Sequence, residues 1–518
     1  MKYRNPIITG FFPDPSICRV DEDYYMVHST FEYLPALPIS HSRDLVHWEI
    51  IGHCITSKEQ MSFPNVPASE GLYAPTIRYH DGFFYVVCTN VSIGGNFYIT
   101  AKDPRGPWSE PIVVEQGGID PSLLFDDDGT VYFTSNGWIK EDDHTTAFIQ
   151  QSVIDITTGK LLTKPRIISY GSGGRCLEAP HLYHIGDWYY LMAAEGGTDL
   201  RHMVTVFRSR SPWGPFEGCP DNPILTARDE DQPKIQATGH ADLIEDIFGK
   251  HWLVFLCYRI ASGKYHHQGR ETAMVPLEWN DEGWPYVSTG KATKVMVNCP
   301  ERKGPEEIEE GIVIEKDDFK AAQKLGLKWN FMREFLTDYS LDEYPGFLTL
   351  YGNEYTLADA ATPAWIGKRQ QHFAMECRTL LDFMPEAENE EAGLSVVCSD
   401  KAWYALVLTL REGKRILLLR KQVEDMVMEI PASLPGELAD TKEPIELYLA
   451  ADRETYYFGY YHQGDKAEVG TGKAKLLSTE VNWGFTGVLV GVYATGNGKR
   501  VKSPAKFKYF SYQGEIGN

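Results

Sequence analysis

The sequence lacks the features that would point to a membrane or a nucleic acid. No apolar run in its 518 residues approaches the roughly 20 that a membrane-spanning helix needs. Basic residues are in the minority, since 50 Lys+Arg stand against 72 Asp+Glu for a formal net charge of −22 at pH 7. Because this surplus repels polyanions, we expect neither nucleic acid nor an anionic membrane as a partner.

Paired cysteines and a secretion signal are also missing. The nine cysteines are an odd number and are scattered without a CxxC pair or zinc-type spacing, as expected of reduced thiols. The N-terminal stretch reaches Pro6 without any apolar segment, so no Sec-type signal peptide is predicted. These absences favour a soluble, cytoplasmic protein, and no motif in the sequence requires a cofactor.

Aromatic residues, by contrast, are abundant. The chain has 12 Trp, 29 Tyr and 24 Phe, which together make up 13% of its residues. Aromatic side chains are frequent in β-strands, and their flat faces also suit binding clefts for sugars. Strand patterns bounded by turns greatly outnumber helical periodicities, which predicts an all-β fold.

A fivefold repeat is the most informative pattern in the first 300 residues. Each copy contains a short motif, one or two apolar residues, a turn and then an aromatic-rich strand. The five motifs are Pro13-Asp14-Pro15-Ser16-Ile17, Tyr73-Ala74-Pro75-Thr76-Ile77, Asp120-Pro121-Ser122-Leu123, Glu178-Ala179-Pro180-His181-Leu182 and Gly239-His240-Ala241-Asp242-Leu243. They follow one another at about 46 to 62 residues, near the size of a four-stranded propeller blade. The repeat therefore predicts a five-bladed β-propeller.

The pattern changes near residue 300. Residues 300–307 are polar, charged and rich in turn formers, a composition typical of a linker. Beyond them strand-like runs resume without the repeated motif, for example at 347–351, 403–408 and 456–460. We therefore predict a propeller domain at 1–305 and a jelly-roll-like β-sandwich at 306–518.

The repeat also brings carboxylates together. Equivalent positions of a propeller repeat converge on the central channel, because the innermost strand of every blade starts at the same end. The equivalent residues are Asp14, Ala74, Asp120, Ala179 and His240, with Glu178 one residue before Ala179. Three carboxylates are thus expected around one channel mouth, although each alone is also explained as a turn cap.

Such a group of carboxylates suits the cleavage of a glycosidic bond. One protonated carboxyl donates to the leaving oxygen, another carboxylate activates water, and a third keeps the pKa of the acid high. Carboxylates on different blades suit the longer spacing, about 6.5–9.5 Å, of inverting enzymes. Phe31 and Tyr73 are candidates for an apolar wall against the sugar ring, with a purely structural role as the alternative.

The motifs resemble those of glycoside hydrolase family 43, the family of β-xylosidases and α-L-arabinofuranosidases. The matching segments are Asn5-Pro6-Ile7-Ile8-Thr9-Gly10-Phe11-Phe12-Pro13-Asp14-Pro15-Ser16-Ile17, Gly118-Ile119-Asp120-Pro121-Ser122, Glu178-Ala179-Pro180-His181-Leu182-Tyr183, Gly239-His240-Ala241-Asp242 and Gly269-Arg270-Glu271-Thr272. The order of these segments is that of the family. The resemblance extends into the second half and covers nearly the whole chain.

The resemblance implies roles for the matched residues in an inverting, single-displacement mechanism. Asp14 would be the general base, Glu178 the general acid, and Asp120 the residue that modulates the pKa of the acid and orients it. Arg270 resembles an arginine that contacts sugar hydroxyls. His240 resembles a channel histidine that helps to hold a Ca²⁺ ion in some relatives, and a hydrogen-bonded histidine without metal is the alternative.

Three departures from the family pattern concern the substrate more than the reaction. Ala179 stands where many relatives have Gly, and Tyr73 stands where many xylosidases have Trp. Leu489 falls where a loop of the sandwich in some relatives offers a Phe that closes the pocket. The sequence therefore leaves the choice between xylose and arabinose open.

The resulting hypothesis is an exo-glycosidase that removes terminal β-D-xylosyl or α-L-arabinofuranosyl residues from plant-derived oligosaccharides, and such an oligosaccharide is the expected partner. An endo-arabinanase of the same family and a non-catalytic sugar-binding propeller are the alternatives. A homo-oligomer stays open, because the sequence does not address the number of subunits.

Overall fold

The structure is a computed structural model that describes residues 1–92, 94–142, 144–231, 233–320 and 324–517. In these ranges strands dominate, and the helices are single turns at Gly436–Ala439, Ala474–Leu477 (a 3-10 turn) and Thr479–Asn482. Within the described part of the chain, no helix is long and apolar enough to cross a membrane. The nine cysteines all lie there, and none of them is in a disulfide.

Five antiparallel sheets in chain order form the blades of a propeller. The strands of blade 1 are Ser16–Val20, Asp23–Val27, Ala36–Ser42 and Glu49–Ile55; of blade 2, Leu72–His80, Phe83–Asn90, Gly95–Ala101 and Ile112–Val114; of blade 3, Ser122–Phe125, Val131–Glu141, His144–Val153 and Arg166–Ser169; of blade 4, Glu178–Ile185, Trp188–Glu195, Met203–Ser209, Glu217–Gly218 and Leu225–Thr226; and of blade 5, Ile235–Glu245, His251–Arg259, Glu271–Trp279 and Pro285–Val287. The first strand of each blade contacts that of the next, and blade 5 returns to blade 1. The prediction of a five-bladed propeller is confirmed.

Local turn chemistry explains the hairpins that begin each blade. In blade 2, Asp81 and Gly82 connect the first two strands with φ values of 47° and 80°. Both angles lie in the left-handed region, which a two-residue hairpin turn of this kind requires and which Asp-Gly adopts readily. The turns that the sequence indicates thus fix the register of the inner strands.

The second half of the chain is a sandwich of two antiparallel sheets. One sheet contains Gly311–Asp317, Tyr339–Ser340, Leu348–Leu350, Met375–Asp382, Ile445–Ala451, Thr455–His462, Asp465–Lys473, Ala505–Phe507 and Phe510–Ile516; the other contains Ala364–Arg369, Glu391–Ser399, Ala402–Arg411, Lys414–Val423, Met426–Ser433 and Leu489–Thr495. Their facing residues form a large core that includes Leu406, Leu447 and Val490. The predicted β-sandwich is confirmed, whereas the exact boundary at residue 305 stays a prediction; it lies between strands Met296–Asn298 and Gly311–Asp317.

The two domains share buried structure next to the central channel. Strand Tyr33–Leu34, which follows the inner hairpin of blade 1, pairs with Phe331–Met332 from the second half of the chain. One apolar cluster contains both Phe31 of the propeller and Trp365 of the sandwich, and it packs against Tyr73 and Phe485. Because the cluster reaches the channel mouth, the sandwich is positioned to complete a site there.

Candidate active site

The repeat positions adopt an unusual backbone conformation. Asp14, Asp120, Ala179 and His240 have φ values of 52°, 54°, 52° and 54°, all in the left-handed region. Asp and His occur there more often than most residues, whereas an alanine pays the full steric penalty of roughly 1–2 kcal/mol. A strained backbone that recurs in four blades at the same channel end is typical of a functional site.

The predicted site residues line a single pocket at this end of the channel. The pocket has about 420 Å³ of empty space, part of which is open to solvent. Its lining consists of Asp14, Phe31, Tyr73, Ala74, Ile119, Asp120, Glu178, Thr198, His202, His240, Leu256, Arg270 and Phe485. All seven residues predicted from the sequence are therefore brought together, and their individual roles stay predictions.

Asp14 is held in its ionised form. Its two carboxylate oxygens accept hydrogen bonds from Arg270 Nη1 at 2.7 Å and from Ser29 Oγ at 2.5 Å. His240 Nδ1 lies 3.7 Å from the oxygen that Arg270 contacts. Burial alone would raise the pKa of Asp14, but the Arg270 charge, His240 and the Ser29 hydroxyl together lower it below its usual value. A buried carboxylate that stays ionised is suited to accept a proton from water.

Glu178 is held in its protonated form. Burial, together with the negative charges of Asp120 and Asp14, raises the pKa of Glu178 to about 8. Burial also raises the pKa of Asp120, but Asp120 Oδ2 accepts a hydrogen bond from the backbone N–H of Ala179 at 3.0 Å. Since that bond favours the ionised form of Asp120, the proton shared by this pair belongs on Glu178. The half-buried Glu178, open to the pocket, is thus ready to donate a proton.

An aromatic wall stands beside the carboxylates. The ring of Phe31 lies 5.0 Å from Tyr73 and 5.9 Å from Phe485, measured between centroids, and the Phe31 and Phe485 rings are nearly parallel at 23°. The Arg270 guanidinium lies 5.3 Å from the Phe31 centroid and 5.4 Å from that of Phe485. The wall therefore offers apolar faces to a sugar ring and also holds the arginine that contacts Asp14.

Ser69 ties the wall to both domains. Its carbonyl oxygen accepts a hydrogen bond from the Tyr73 hydroxyl at 2.9 Å, and its Oγ accepts one from the backbone N–H of Phe485 at 2.8 Å. Its own N–H donates to the buried Glu32 carboxylate at 3.0 Å. One serine of the propeller therefore fixes the position of a propeller aromatic and of the loop from the sandwich.

Close backbone contact seats that sandwich loop against the propeller. A Cβ atom added to Gly487 would lie 2.1 Å from the carbonyl oxygen of Gln268, so only glycine fits there. Phe485 precedes this contact by two residues, and its side chain consequently reaches the pocket. The residues Phe485-Thr486-Gly487 are visible in the sequence, but no sequence pattern assigns Phe485 to a channel in another domain.

The expectation about Leu489 is therefore wrong. Leu489 begins strand Leu489–Thr495, is fully buried and pairs with Arg369 and Val397 inside the sandwich. The phenylalanine that closes the pocket is Phe485, four residues earlier. It lies in the loop that contacts the propeller, and the strand begins only after this loop. Thr198 and His202 also line the pocket, from the loop after the second strand of blade 4.

Two other acidic residues near the site, Asp242 and Glu195, have structural partners. Asp242 accepts hydrogen bonds from Arg78 at 2.8 Å and from Ser16 Oγ at 2.6 Å, and so ties the inner strands of three blades together. Glu195 is buried and accepts hydrogen bonds from the backbone N–H groups of Ser172 and Gly174. Neither carboxylate lines the pocket.

The residues around His240 fit a Ca²⁺ ion poorly. Ca²⁺ takes about six to eight oxygen ligands, whereas His240 offers a nitrogen. The neighbouring Asp14 oxygen already accepts from Arg270, whose positive charge opposes a cation at the same place. Among the described residues, the grouping of three metal-ligand side chains is Asp126, Asp127 and His184, which does not include His240. No catalytic step is therefore assigned to a metal.

The channel of this propeller holds an ionised and a protonated carboxyl beside an aromatic wall. These are the functional groups that a glycoside hydrolase needs. Residues 3–285 match the family model described as glycosyl hydrolases family 43, and residues 316–513 match the β-xylosidase C-terminal concanavalin A-like domain. The chain belongs to glycosyl hydrolase family 43.

Curated relatives resemble the chain over nearly its full length. It is 42% identical over 516 residues to a non-reducing end α-L-arabinofuranosidase of Bacteroides ovatus, covering 99% of this chain and 94% of that protein. It is 34% identical over 540 residues to a β-xylosidase of Bacillus subtilis, with 99% and 100% covered. A solved xylan β-1,4-xylosidase of Bacillus halodurans superposes with a TM-score of 0.90 at 33% identity, covering 98% of this chain and 99% of that one.

Proposed function

We propose that this chain is an inverting exo-glycosidase that removes terminal β-D-xylosyl or α-L-arabinofuranosyl residues from oligosaccharides. The observation that carries the proposal is the opposite protonation of two carboxyls in one pocket, Asp14 ionised and Glu178 protonated. The printed activities of the relatives, arabinofuranosidase and β-xylosidase, supply the two sugars.

The proposed reaction is a single displacement. Asp14 removes a proton from a water molecule, and the water oxygen attacks the anomeric carbon. Glu178 gives its proton to the glycosidic oxygen as the bond to the anomeric carbon breaks, so that both products leave neutral. Asp120, ionised beside Glu178, keeps the pKa of the acid high until that transfer.

Arg270 and the aromatic wall position the sugar. Arg270 donates to Asp14 through Nη1, and a sugar hydroxyl in the pocket is the expected acceptor for its remaining N–H groups. Phe31, Tyr73 and Phe485 enclose one side of the pocket, which suits one terminal sugar rather than the middle of a polymer. This enclosure favours exo-cleavage over the endo-arabinanase alternative.

The proposal is tested by the hydrolysis of nitrophenyl β-D-xylopyranoside and nitrophenyl α-L-arabinofuranoside by the wild type, Asp14→Ala and Glu178→Ala. We expect the wild type to hydrolyse at least one of them, and both variants to lose nearly all activity. Equal activity in all three proteins would refute the assignment, as would NMR of the first product with a retained anomeric configuration. Oligomeric products from linear arabinan, in place of monosaccharide, would indicate the endo-acting alternative.

A further inference from the structure

A second cavity lies at the junction of the propeller and the sandwich, outside the catalytic pocket. It has about 730 Å³ of empty space, part of which is open to solvent. Its lining consists of Ile8, Phe12, Ser40, Trp48, Glu49, Ile50, Glu315, Lys328, Lys368, Arg369, Gln371 and Tyr512. None of these residues lines the catalytic pocket, so the cavity needs its own explanation.

Arg369 is the unusual member of this lining. It ends strand Ala364–Arg369, is only 6% exposed, and its Nε is buried without a hydrogen-bond partner. Among the described residues, no carboxylate lies within ion-pair distance of Arg369, and none of its three nitrogens donates a hydrogen bond. Its contacts are the rings of Phe12 at 4.8 Å and Phe11 at 5.8 Å.

Other buried arginines of the chain are compensated. Arg78 pairs with Asp242, Arg270 with Asp14, and Arg302 with Glu278. An unpaired buried charge is costly, because it has lost its water and no opposite charge replaces it. Burial lowers the pKa of Arg369 to about 10, so the guanidinium is still charged at neutral pH. The arginine therefore does not escape the cost of a buried charge by losing its proton.

Apart from the ring faces of Phe12 and Phe11, the neighbours of Arg369 do not offset its charge. Burial and the charge of Arg369 together lower the pKa of His28 and of His53 to about 3, so these rings are neutral and carry no negative charge. Within the cavity, Glu315 is already paired with Lys328 and Lys368. Glu49 is exposed to water, and it forms no ion pair with Arg369.

The adjoining cleft is also positive, although the chain as a whole has a formal charge of −22. It shares Trp48, Glu315, Lys328 and Gln371 with the cavity. Lys2, Lys234 and Arg453 line this cleft, and none of them forms an ion pair with a described carboxylate. The acids Glu307 and Glu309 at the same cleft are exposed, and so are Lys2, Lys234 and Arg453, so water and salt screen both signs of charge there. The buried Arg369 is therefore the unpaired positive charge at the junction that is screened least.

Aromatic residues give the cavity a second recognition element. Trp48 is half-buried, with its ring nitrogen already donating to the Leu45 carbonyl, so its remaining surface is apolar. Phe12 and Tyr512 line the same space. Rings of this kind pack against the C–H faces of sugars, while a guanidinium binds a carboxylate through two parallel hydrogen bonds.

We propose that this junction cavity is a binding site for a sugar that carries a carboxylate, with the carboxylate on Arg369 and the ring against Trp48. One negative charge matches the guanidinium of Arg369, the arginine in the lining of this cavity, and Ser40 and Gln371 offer polar partners to sugar hydroxyls. Such a sugar acid is either a free monosaccharide or an acidic branch on an oligosaccharide. The site is separate from the catalytic pocket and does not depend on which sugar the enzyme releases.

The test is calorimetric titration of the full-length protein with D-glucuronate, with D-glucose as the matched neutral sugar and with inorganic phosphate as a plain anion. We expect glucuronate to bind in the millimolar range or tighter, and glucose and phosphate to bind at least about tenfold more weakly. Arg369→Gln and Trp48→Ala should each weaken glucuronate binding about tenfold or more. Phe485→Ala, a variant in the catalytic pocket, should leave it unchanged.

Several results would overturn the proposal. They are the absence of glucuronate binding up to about 20 mM, equal binding by glucose or phosphate, and loss of binding in Phe485→Ala but not in Trp48→Ala. Trp48→Ala keeps the test decisive if Arg369→Gln does not fold, since Trp48 is only half-buried. A xylo-oligosaccharide with a glucuronate branch distinguishes the sources: tighter binding than the monosaccharide supports an acidic branch, and equal binding supports a free sugar acid.

Discussion

The propeller and the sandwich contribute to the catalytic pocket in different ways. The propeller supplies Asp14, Asp120 and Glu178 from three blades, each at or beside the same position of a repeat. The sandwich supplies Phe485, from the loop that precedes strand Leu489–Thr495. The catalytic carboxylates are therefore positioned by the beginnings of the inner strands of the propeller. The aromatic wall, in contrast, depends on contact between the two domains.

This difference separates catalysis from substrate fit. The carboxylates are held by hydrogen bonds within the propeller, such as those from Ser29 to Asp14 and from Ala179 to Asp120. Phe485 is held by Ser69 and by close backbone packing at Gly487. We expect changes in the first group to reduce kcat and changes in the second group to raise KM.

The largest expected effect follows from Glu178→Gln, which keeps the shape of the acid but removes its proton. General acid catalysis is worth about 10²–10⁴-fold, so kcat for an alkyl xyloside should fall by that factor. A substrate with a nitrophenyl leaving group needs less help from an acid, and its kcat should fall less. Equal losses on the two substrates would contradict the role of Glu178 as general acid.

The pH dependence of kcat/KM should reflect the ionisation of Asp14 and of Glu178. Because Glu178 must be protonated, kcat/KM should fall about tenfold per pH unit above about 8, the pKa of Glu178. Because Asp14 must be ionised, activity should fall on the acid side only below the usual pKa of an aspartate, since the pKa of Asp14 is lowered.

Asp120→Asn sharpens this test. Loss of the Asp120 charge lowers the pKa of Glu178, so the alkaline limb of the profile should move to lower pH. Phe485→Ala is the control and should leave both limbs in place. An alkaline limb that does not move in Asp120→Asn would show that another group is responsible for it.

The comparison of domains also explains what the sequence could predict. The sequence predicts Asp14, Asp120 and Glu178 because the repeat places equivalent residues on one axis, whatever the distance between them along the chain. It does not place Phe485 in the pocket, and the expectation about Leu489 is wrong, because the approach of Gly487 to Gln268 depends on how two domains pack. No periodicity within either domain encodes that contact.

Phe485→Ala tests the contribution of the sandwich directly. It removes a ring that stacks on Phe31 and lies 5.4 Å from the Arg270 guanidinium. We expect KM to rise about tenfold, a loss of about 1.4 kcal/mol of binding, with kcat changed less. Tyr355→Ala is the control, because this exposed aromatic of the sandwich does not line the pocket. A fall in kcat with unchanged KM would contradict the division between the two domains.

Ser69→Ala should have a smaller effect of the same kind. The variant leaves the N–H of Phe485 without its acceptor but keeps the backbone bonds of residue 69 to Tyr73 and Glu32. We expect KM to rise about threefold, since an unpaired N–H at a loop that reaches water costs less than a buried one. Ser62→Ala, which removes a hydroxyl bonded to Glu334 away from the pocket, is the control. Equal KM values for the two variants would mean that Ser69 does not position the wall.

The smallest expected effect concerns the backbone strain that accompanies the propeller chemistry. Ala179 has a φ of 52°, in the left-handed region where the Cβ of an alanine is strained. Ala179→Gly should raise the free energy of unfolding by about 1 kcal/mol, measured by urea denaturation, because glycine adopts this conformation without steric cost. Ala237→Gly is a parallel variant outside the pocket lining, with the same φ of 52°, and should gain a similar amount. If only Ala237→Gly is stabilised, then the methyl group of Ala179 makes contacts in the site that offset its strain, because glycine at this position keeps the hydrogen bond from the N–H to Asp120.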